Sequence, residues 1–280
     1  LRHRSDGDTA FRPRSLEGAL KQLPEANLSL ISVAGKYAAR EALRALKHGL
    51  HVMLFSDNVS IEEEKELKEY GRAQGLLVMG PDCGTAIING VPLAFANVVN
   101  RGSVGIVGAS GTGLQEVATV VSNRGAGISQ AIGTGGRDVK KEIGGTMFLE
   151  AMRALAADPA TEVILLVSKP PHPEVLEKIA AEIRKIRKPV AGIFIGADRV
   201  VLEKAGAIAA ATLEECGAIG AALARGEDIN AIRAALAAEK SGIEAQAMAL
   251  AKKVKGKYLR GLFTGGTLCD EAPLLSRSVC

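Results

Sequence analysis

One stretch of the chain, from Gly102 to Glu116, passes from an apolar run through a turn of small residues into a helical pattern. The apolar run over 104–107 predicts a strand, the small residues over 108–113 predict a tight turn, and a helix is expected from about Leu114. A strand that feeds a helix in this way is the building unit of parallel sheets. The sequence therefore predicts an α/β protein with a glycine-rich loop at the carboxyl end of one strand.

The same strand-to-helix alternation recurs along the chain and predicts its domains. Only 3% of residues are aromatic although 47% are hydrophobic, so the cores must be built mainly from Ala, Val, Ile and Leu, as in parallel sheets covered by helices. We predict two doubly wound, Rossmann-like or flavodoxin-like domains (1–100 and 101–211), a helical connector (212–257) and the start of a third α/β domain (258–280). The predicted strands are 28–33, 51–55, 76–79, 92–98, 104–107, 128–132, 163–167, 190–195 and 258–263. The predicted helices are 37–47, 61–74, 114–123, 147–156, 173–187 and 267–275.

The small residues Ser110, Gly111, Thr112 and Gly113 precede the helix that begins near Leu114. The N–H groups of a helix start have no partner within the helix and lie at the positive end of its dipole. Small side chains let an anion approach these groups, and two hydroxyls add hydrogen bonds. The pattern predicts a cradle for phosphate or carboxylate, without the Lys of the Walker loop.

Glu116 lies one turn further along this helix. Two interpretations stay open for it: a base that faces the pocket, or a charge that complements the helix N-terminus.

A second glycine-rich loop, over 133–138, follows the next predicted strand. Ligands of open parallel sheets collect at the carboxyl ends of strands, so the two loops are expected to border one pocket. Gly135 and Gly136 would keep the loop open to a ligand, and the planar Arg137 fork suits a phosphate or carboxylate. Asp138 could hold that fork or accept a proton. The alternative is an ordinary turn, since such loops are common in α/β domains.

Two further loops end predicted strands and carry polar residues. Asp82 and Cys83 lie in the loop 80–84, where the thiol is either a nucleophile or a packed loop residue. Asp57 and Asn58 follow another strand, where a ligand contact and a helix cap are both open.

Charge and cysteine content exclude several classes of function. The net charge is +4 with both signs interspersed, which, with so few aromatic residues, argues against a nucleic-acid groove and suits a small anionic substrate. The four cysteines show no zinc spacing, so no metal site is expected. No apolar run approaches the ~20 residues that cross a bilayer, and with no secretory signal we expect a cytoplasmic protein.

The motifs, taken in order, resemble the alpha subunit of succinyl-CoA synthetase and the other NDP-forming acyl-CoA synthetases over about residues 28–215. The resemblance is carried by the segments 33–38, 80–84, 105–113, 132–138, 188–192 and 205–208. It implies an enzyme that acts on a phosphate-linked acyl group. Phosphate or an acyl or carbamoyl phosphate is the implied ligand, CoA and a nucleotide are candidate cofactors, and a second subunit or a homodimer is the implied assembly.

A narrower set of segments resembles the FdrA family: 30–38, 52–59, 75–85, 92–98 and 261–268. This resemblance implies further sequence before and after the span. It also implies one of two activities, acyl-CoA synthesis or carbamoyl transfer between oxamate and phosphate in allantoin catabolism. A non-catalytic ligand-binding subunit is the third alternative.

The resemblance also implies roles for particular residues. Ala34, Gly35, Lys36 and Tyr37 stand where the synthetases place their first CoA-side loop. Lys204 stands where their phosphohistidine would be, and a lysine is a cation rather than a phosphoryl acceptor of the imidazole kind. We therefore expect Lys204 to act as a fixed positive charge beside the cradle, in a reaction without a phosphohistidine. The four histidines lie outside the matching motifs: His3, His48, His51 and His172.

Overall fold

The computed structural model describes residues 13–251, 256 and 260–276. Its strands form a three-stranded parallel sheet and a seven-stranded mixed sheet, and helices connect most of the successive parallel strands. The predicted α/β fold with parallel sheets is confirmed. None of the helices in the described part of the chain combines the length and the apolar character that crossing a bilayer requires.

The first sheet has the order β1-β2-β3 and all its strands are parallel. Helix α3 links β2 to β3 and shows why the chain turns where it does. Ser60 and Glu63 form a capping box at its start, and Gly75 ends it in the left-handed conformation (φ 69°). The elements of this unit are α1 (Leu16–Gln22), β1 (Leu28–Ile31), α2 (Gly35–Lys47), β2 (His51–Leu54), α3 (Ile61–Gln74) and β3 (Val78–Met79).

The second sheet has the order β10-β9-β8-β6-β7-β4-β5. Strands β6 to β10 are parallel, and the order β7-β6-β8-β9-β10 is that of a flavodoxin-like sheet, whose ligands bind at the switch point between its first and third strands. That point here lies between β6 and β8. The strands are β4 (Thr85–Ile88), β5 (Val91–Ala94), β6 (Arg101–Ala109), β7 (Ile128–Gly133), β8 (Val163–Ser168), β9 (Val190–Phe194) and β10 (Ile208–Ala209).

Helices cover both faces of the second sheet. Leu114, on α4, packs with Ile219, on α8, over one face, while Phe148, on α5, and Ile179, on α6, pack over the other. Gly217 lets α8 approach α4, since a Cβ there would lie 2.7 Å from Val120. The helices are α4 (Gly111–Asn123), α5 (Thr146–Ala157), α6 (Pro173–Ile183), α7 (Val200–Lys204), α8 (Leu213–Arg225), α9 (Ile229–Ala251) and α10 (Gly266–Ser276).

Some predicted segments differ from the structure. The hairpin of β4 and β5 belongs to the second sheet, because β4 pairs antiparallel with β7. Within the predicted connector 212–257, helix α8 packs against the hydrophobic core of the second sheet, whereas no residue of helix α9 is buried. Residues 260–263 of the predicted strand 258–263 do not form a strand, and residues 258–259 lie outside the described residues. The domain boundaries themselves stay a prediction.

Candidate functional site

A cleft of about 620 Å³ opens where the loops that follow β1, β2 and β3 meet the start of α4. These loops leave the carboxyl ends of parallel strands, where ligands of such sheets bind. The cleft joins the predicted anion cradle to the loops that hold Ala34, Asp57 and Asp82, but the second glycine-rich loop (133–138), which was expected to border the same pocket, does not line it. Its lining residues are Ser32, Val33, Ala34, Phe55, Ser56, Asp57, Asp82, Gly84, Thr85, Phe95, Gly111, Thr112, Gln115 and Thr264.

The predicted anion cradle forms the start of α4. Ser110 is its N-cap, and the Ser110 Oγ accepts a hydrogen bond from the Gly113 N–H at 3.2 Å. This leaves the N–H groups of Gly111 and Thr112 without a partner inside the helix, on residues that line the cleft. A Cβ at Gly111 would meet no atom within 4 Å, so the space in front of it is open. The geometry suits an anion at the first turn of α4.

The start of α10 lies against this cradle. The Thr267 Oγ1 is 2.5 Å from the Ser110 Oγ, and a Cβ at Gly265 would overlap the Thr112 side chain. Lys169, in the loop after β8, pairs with Asp270 of α10 at 2.7 Å. Two helix N-termini and one lysine therefore meet near the switch point of the second sheet. Sequence reasoning missed Lys169 and the Thr264 loop, because nothing local links them to residues 110–113.

Of the predicted CoA-side loop 34–37, Ala34 lines the cleft, whereas Gly35, Lys36 and Tyr37 do not. Ala34 is the N-cap of α2 and provides no side-chain hydrogen bond, so the helix start is uncapped. A Cβ at Gly35 would overlap the carbonyl oxygen of Asp57, which explains why glycine occupies this position. The Lys36 ammonium lies 4.8 Å from the centre of the Tyr37 ring, and Tyr37 itself is half exposed.

Two carboxylates, Asp57 and Asp82, line the same cleft. The pKa of Asp82 is raised because its carboxyl is partly withdrawn from water and lies near Asp57, and the nearby Arg137 offsets part of this effect. Asp82 and Asn58 both have left-handed backbones (φ 56° and 54°). Asn58 follows Asp57 in the loop but does not itself line the cleft.

The expected pairing of Arg137 with Asp138 is wrong. The Arg137 Nε lies 2.8 Å from the Glu64 carboxylate, and its Nη2 donates a hydrogen bond to the Val59 carbonyl. Asp138 is fully buried and pairs with the fully buried Lys68 at 2.9 Å. Asp138 also accepts hydrogen bonds from the backbone N–H groups that begin α5. Asp138 therefore joins the two sheets and has no access to a substrate.

The loop of Gly135 and Gly136 has a packing role in the structure. Gly135 is left-handed (φ 84°), and a Cβ there would meet the Pro81 carbonyl oxygen at 2.5 Å. The loop thus packs on the chain just after β3, and neither glycine is among the residues that line the cleft.

Cys83 and Glu116 are also absent from the residues that line the cleft. Cys83 is 3% exposed in the core, and burial raises the pKa of its thiol to about 11, which opposes a nucleophilic role at neutral pH. On α4 it is Gln115 that lines the cleft, donating a hydrogen bond to the Phe95 carbonyl at 2.7 Å. Glu116 lies instead near Glu271 of α10: burial raises the pKa of Glu271, and the charges of Glu116 and Glu214 raise it further.

Lys204 does not lie beside the cradle. It ends α7 and precedes β10, whose residue Ile208 is in register with Ala191, near the start of β9. Lys204 therefore lies at the edge of the sheet where the parallel strands begin, whereas the cradle follows β6 at the edge where they end. The resemblance of the segment around Lys204 to a phosphohistidine motif therefore did not identify a residue beside the phosphate-binding loop.

The described histidines have structural partners. The His51 Nδ1 accepts a hydrogen bond from the Leu77 N–H at 2.9 Å, and the His172 Nδ1 accepts one from Glu174 at the start of α6. His48 ends α2 and lies 3.6 Å from Glu17. None of these three lines the cleft.

Comparison with known proteins shows similarity to a CoA-binding family and to CoA ligases. The family model of the CoA binding domain matches residues 99–196, a range that contains the cradle. The chain is homologous to alpha subunits of CoA ligases: it is 32% identical over 179 residues to subunit alpha 2 of the ADP-forming succinate–CoA ligase of Archaeoglobus fulgidus. That match covers 61% of this chain and 60% of the relative.

A closer match is YahF of Escherichia coli K12, a protein described as uncharacterized, which is 46% identical over 271 residues. The match covers 95% of this chain and 51% of YahF, so the chain spans about half the length of that relative. Among solved structures, ATP citrate lyase from Methanothrix soehngenii, in complex with citrate and coenzyme A, gives a TM-score of 0.62 at 16% identity. It covers 89% of this chain and 43% of the lyase, and at this identity the likeness concerns the fold.

Proposed function

We propose that the chain is the phosphate-binding part of an enzyme that transfers an acyl or carbamoyl group through a phosphorylated intermediate. The observation that carries the proposal is the cleft, whose lining includes the open first turn of α4 and Ala34 at the uncapped start of α2. Homology to CoA ligases supports the same class of reaction.

The cradle would stabilise negative charge on the phosphoryl group. The N–H groups of Gly111 and Thr112 would donate to its oxygens, and the Thr112 and Thr264 hydroxyls lie within the same cleft. Donors that are already fixed in place need no reorganisation during the reaction, and they act most strongly where charge develops. In this scheme Lys169, whose ammonium lies against the start of α10, replaces Lys204 as the candidate cation beside the cradle.

CoA and a nucleotide are candidate cofactors in this proposal. The uncapped start of α2 and the exposed Lys36 fit an anionic group, whereas Asp57 and Asp82 do not. When bound, CoA would supply the thiol that accepts the acyl group. The residues of this chain that would hold its anionic part are those of the loop 34–37.

Carbamoyl transfer is the alternative that one observation favours. Both reactions need a phosphate cradle, but only the ligase reaction of the resembling synthetases passes through a phosphohistidine. The described histidines at positions 48, 51 and 172 lie away from the cleft and have structural partners. Carbamoyl transfer to phosphate would proceed at the cradle without such a relay.

A partner subunit is part of the proposal, since the relatives named as alpha subunits work within larger ligases. The test is an assay of the full-length protein with its partner, for CoA ligation with ADP or ATP and for carbamoyl phosphate formation from inorganic phosphate. We expect one of the two activities, and its loss in Gly111→Val. The matched control Gly242→Val, on the exposed helix α9, also adds its side chain to open space and should keep the activity. Phosphate binding without turnover in either assay would instead favour a non-catalytic subunit.

A further inference from the structure

Helix α10 lies against the cradle with most of its surface exposed. Among the described side chains of this helix, Thr267 is the one that is buried, and the others are exposed or partly exposed. The residues that lead into the helix, 260–264, are exposed and form neither helix nor strand. A helix attached in this way opens locally at a lower free-energy cost than the core of a sheet does. The position of α10 is therefore set by the contacts that it makes where it docks.

The buried Thr267 contacts the residue that caps α4. The Thr267 Oγ1 lies 2.5 Å from the Ser110 Oγ, and only 3% of Thr267 and 6% of Ser110 are exposed. The same Ser110 Oγ accepts the hydrogen bond from the Gly113 N–H, while the Ser110 carbonyl accepts one from the Leu114 N–H. A buried hydroxyl that loses a partner is costly, because water does not replace the bond. The cap of α4 is thus stabilised by α10.

Two glycines let α10 approach the cradle this closely. A Cβ at Gly265 would lie 2.1 Å from the Thr112 Oγ1, and a Cβ at Gly113 would lie 3.2 Å from the methyl carbon of Thr267. Thr264 and Thr112 both line the cleft. The docked position of α10 therefore restricts the Thr112 side chain and adds Thr264 to the lining of the cleft.

Two further polar contacts attach α10 to the same edge of the second sheet. Lys169, in the loop after β8, pairs with Asp270 at 2.7 Å, and the Leu213 N–H, at the start of α8, donates to the Glu271 carboxylate at 2.7 Å. The Lys169–Asp270 pair is close to half exposed, so it adds little to the stability of docking. Neither contact reaches the cap of α4, so the link from α10 to that cap runs through Thr267.

We infer that α10 is a strap that controls anion binding at the cradle through the contact between Thr267 and Ser110. This inference rests on the proposed phosphate-binding function and describes its regulation. With α10 docked, the Ser110 hydroxyl is held where it caps the Gly113 N–H. The Gly111 and Thr112 N–H groups then keep the arrangement that suits an anion. When α10 opens, the first turn of α4 loses this support and frays. Because coupling between two sites is reciprocal, a bound anion in turn holds α10 closed.

Hydrogen–deuterium exchange of the full-length wild-type protein, with and without saturating inorganic phosphate, tests the reciprocal effect. We expect phosphate to slow exchange in peptides of α10 by at least about threefold and to slow exchange in the first turn of α4. Peptides of α5, on the opposite face of the second sheet from α4, should exchange at an unchanged rate. Bound phosphate that protects α4 but leaves the exchange of α10 unchanged would overturn the inference.

Three variants assign the coupling to the hydroxyl contact, with phosphate affinity measured by calorimetry. Thr267→Val removes the hydroxyl and keeps the shape of the side chain, so it should lower phosphate affinity about fivefold or more and speed the exchange of α10. Thr267→Ser keeps the hydroxyl and should stay within about twofold of the wild type. Thr161→Val is the matched control, because the Thr161 Oγ1 forms a similar buried pair with the Ser129 Oγ, 2.7 Å away, at the edge where the strands begin. This control should also stay within about twofold.

The outcomes separate the inference from the proposed function. If phosphate binds and Gly111→Val weakens it, but Thr267→Val binds as tightly as the wild type, the inference is overturned and the proposed function stands. Equal losses in Thr267→Val and Thr161→Val would also overturn the inference, because affinity would then follow stability and not this contact. If Thr267→Val does not fold, the exchange of the wild-type protein decides. Failure of the wild type to bind phosphate would overturn the proposed function, and the inference with it.

Discussion

Replacing Lys68 by Met should destabilise the protein strongly, because this lysine is a fully buried link between the two sheets. The Lys68 ammonium donates to Glu64 at 2.7 Å, to Asp138 at 2.9 Å and to the Thr134 carbonyl at 2.9 Å. Removing one partner of a buried ion pair leaves an uncompensated charge and typically costs about 3–5 kcal/mol. Glu64 keeps Arg137, and Asp138 keeps two backbone N–H groups, so we expect about 3 kcal/mol.

The assay is urea unfolding followed by circular dichroism. With a slope of about 3 kcal/mol per M, the loss of about 3 kcal/mol lowers the midpoint by roughly 1 M. Lys65→Met is the matched control: it lies on the same helix, its side chain is 55% exposed, and its pair with Glu69 spans 3.9 Å, so it should cost under about 0.5 kcal/mol. The double variant Lys68→Met with Asp138→Asn should be more stable than Lys68→Met alone. A loss below about 1 kcal/mol in Lys68→Met would refute the reasoning.

Three further predictions concern single groups. Burial lowers the pKa of His51 below 6.5, so the unfolded state binds the proton more readily than the folded state does. The stability that comes from the hydrogen bond between His51 and Leu77 should therefore be complete above about pH 6.5 and should fall as the pH drops below this value. Urea unfolding at pH 8 and pH 5.5 should show a smaller decline in His51→Gln, and an equal decline would contradict this. Alkylation at pH 8, followed by peptide mass spectrometry, should label the exposed Cys269 quickly and Cys83 only after unfolding, since the pKa of Cys83 is raised to about 11. Lys204→Ala should leave phosphate affinity within about twofold by calorimetry, and a tenfold loss would return Lys204 to the cradle.

The parallel units were predictable because each repeats one local rule. An apolar strand, a small-residue turn and an amphipathic helix follow one another, and caps such as Ser60 and Gly75 mark the helix ends. The hairpin of β4 and β5 was less clear, although Asn89-Gly90 is the turn that such hairpins favour and both residues have positive φ. Its second strand was predicted over 92–98 and runs over Val91–Ala94, while its first strand, Thr85–Ile88, was not predicted.

The site was predictable only in part, because several of its contacts join distant segments. The cradle at 110–113 and the loop residue Ala34 follow from local patterns or from the resemblance, and the structure brings them to one cleft. The Arg137–Asp138 pair was expected because the two residues are adjacent. Their actual partners come from α3, about 70 residues earlier, where Lys68 lies among charges typical of a solvated helix face. Burial of that lysine is a tertiary property that no local pattern contains.

Phosphate binding at the start of α4 is the central claim, and calorimetry on the wild type, Gly111→Val and Gly242→Val tests it most directly. Since the space before Gly111 is open, a valine there should fill the position of the anion without disturbing the protein fold. We predict phosphate binding in the wild type, a loss of at least about tenfold in Gly111→Val, and unchanged affinity in Gly242→Val. Equal phosphate affinity in Gly111→Val and wild type, with both proteins folded, would contradict the account.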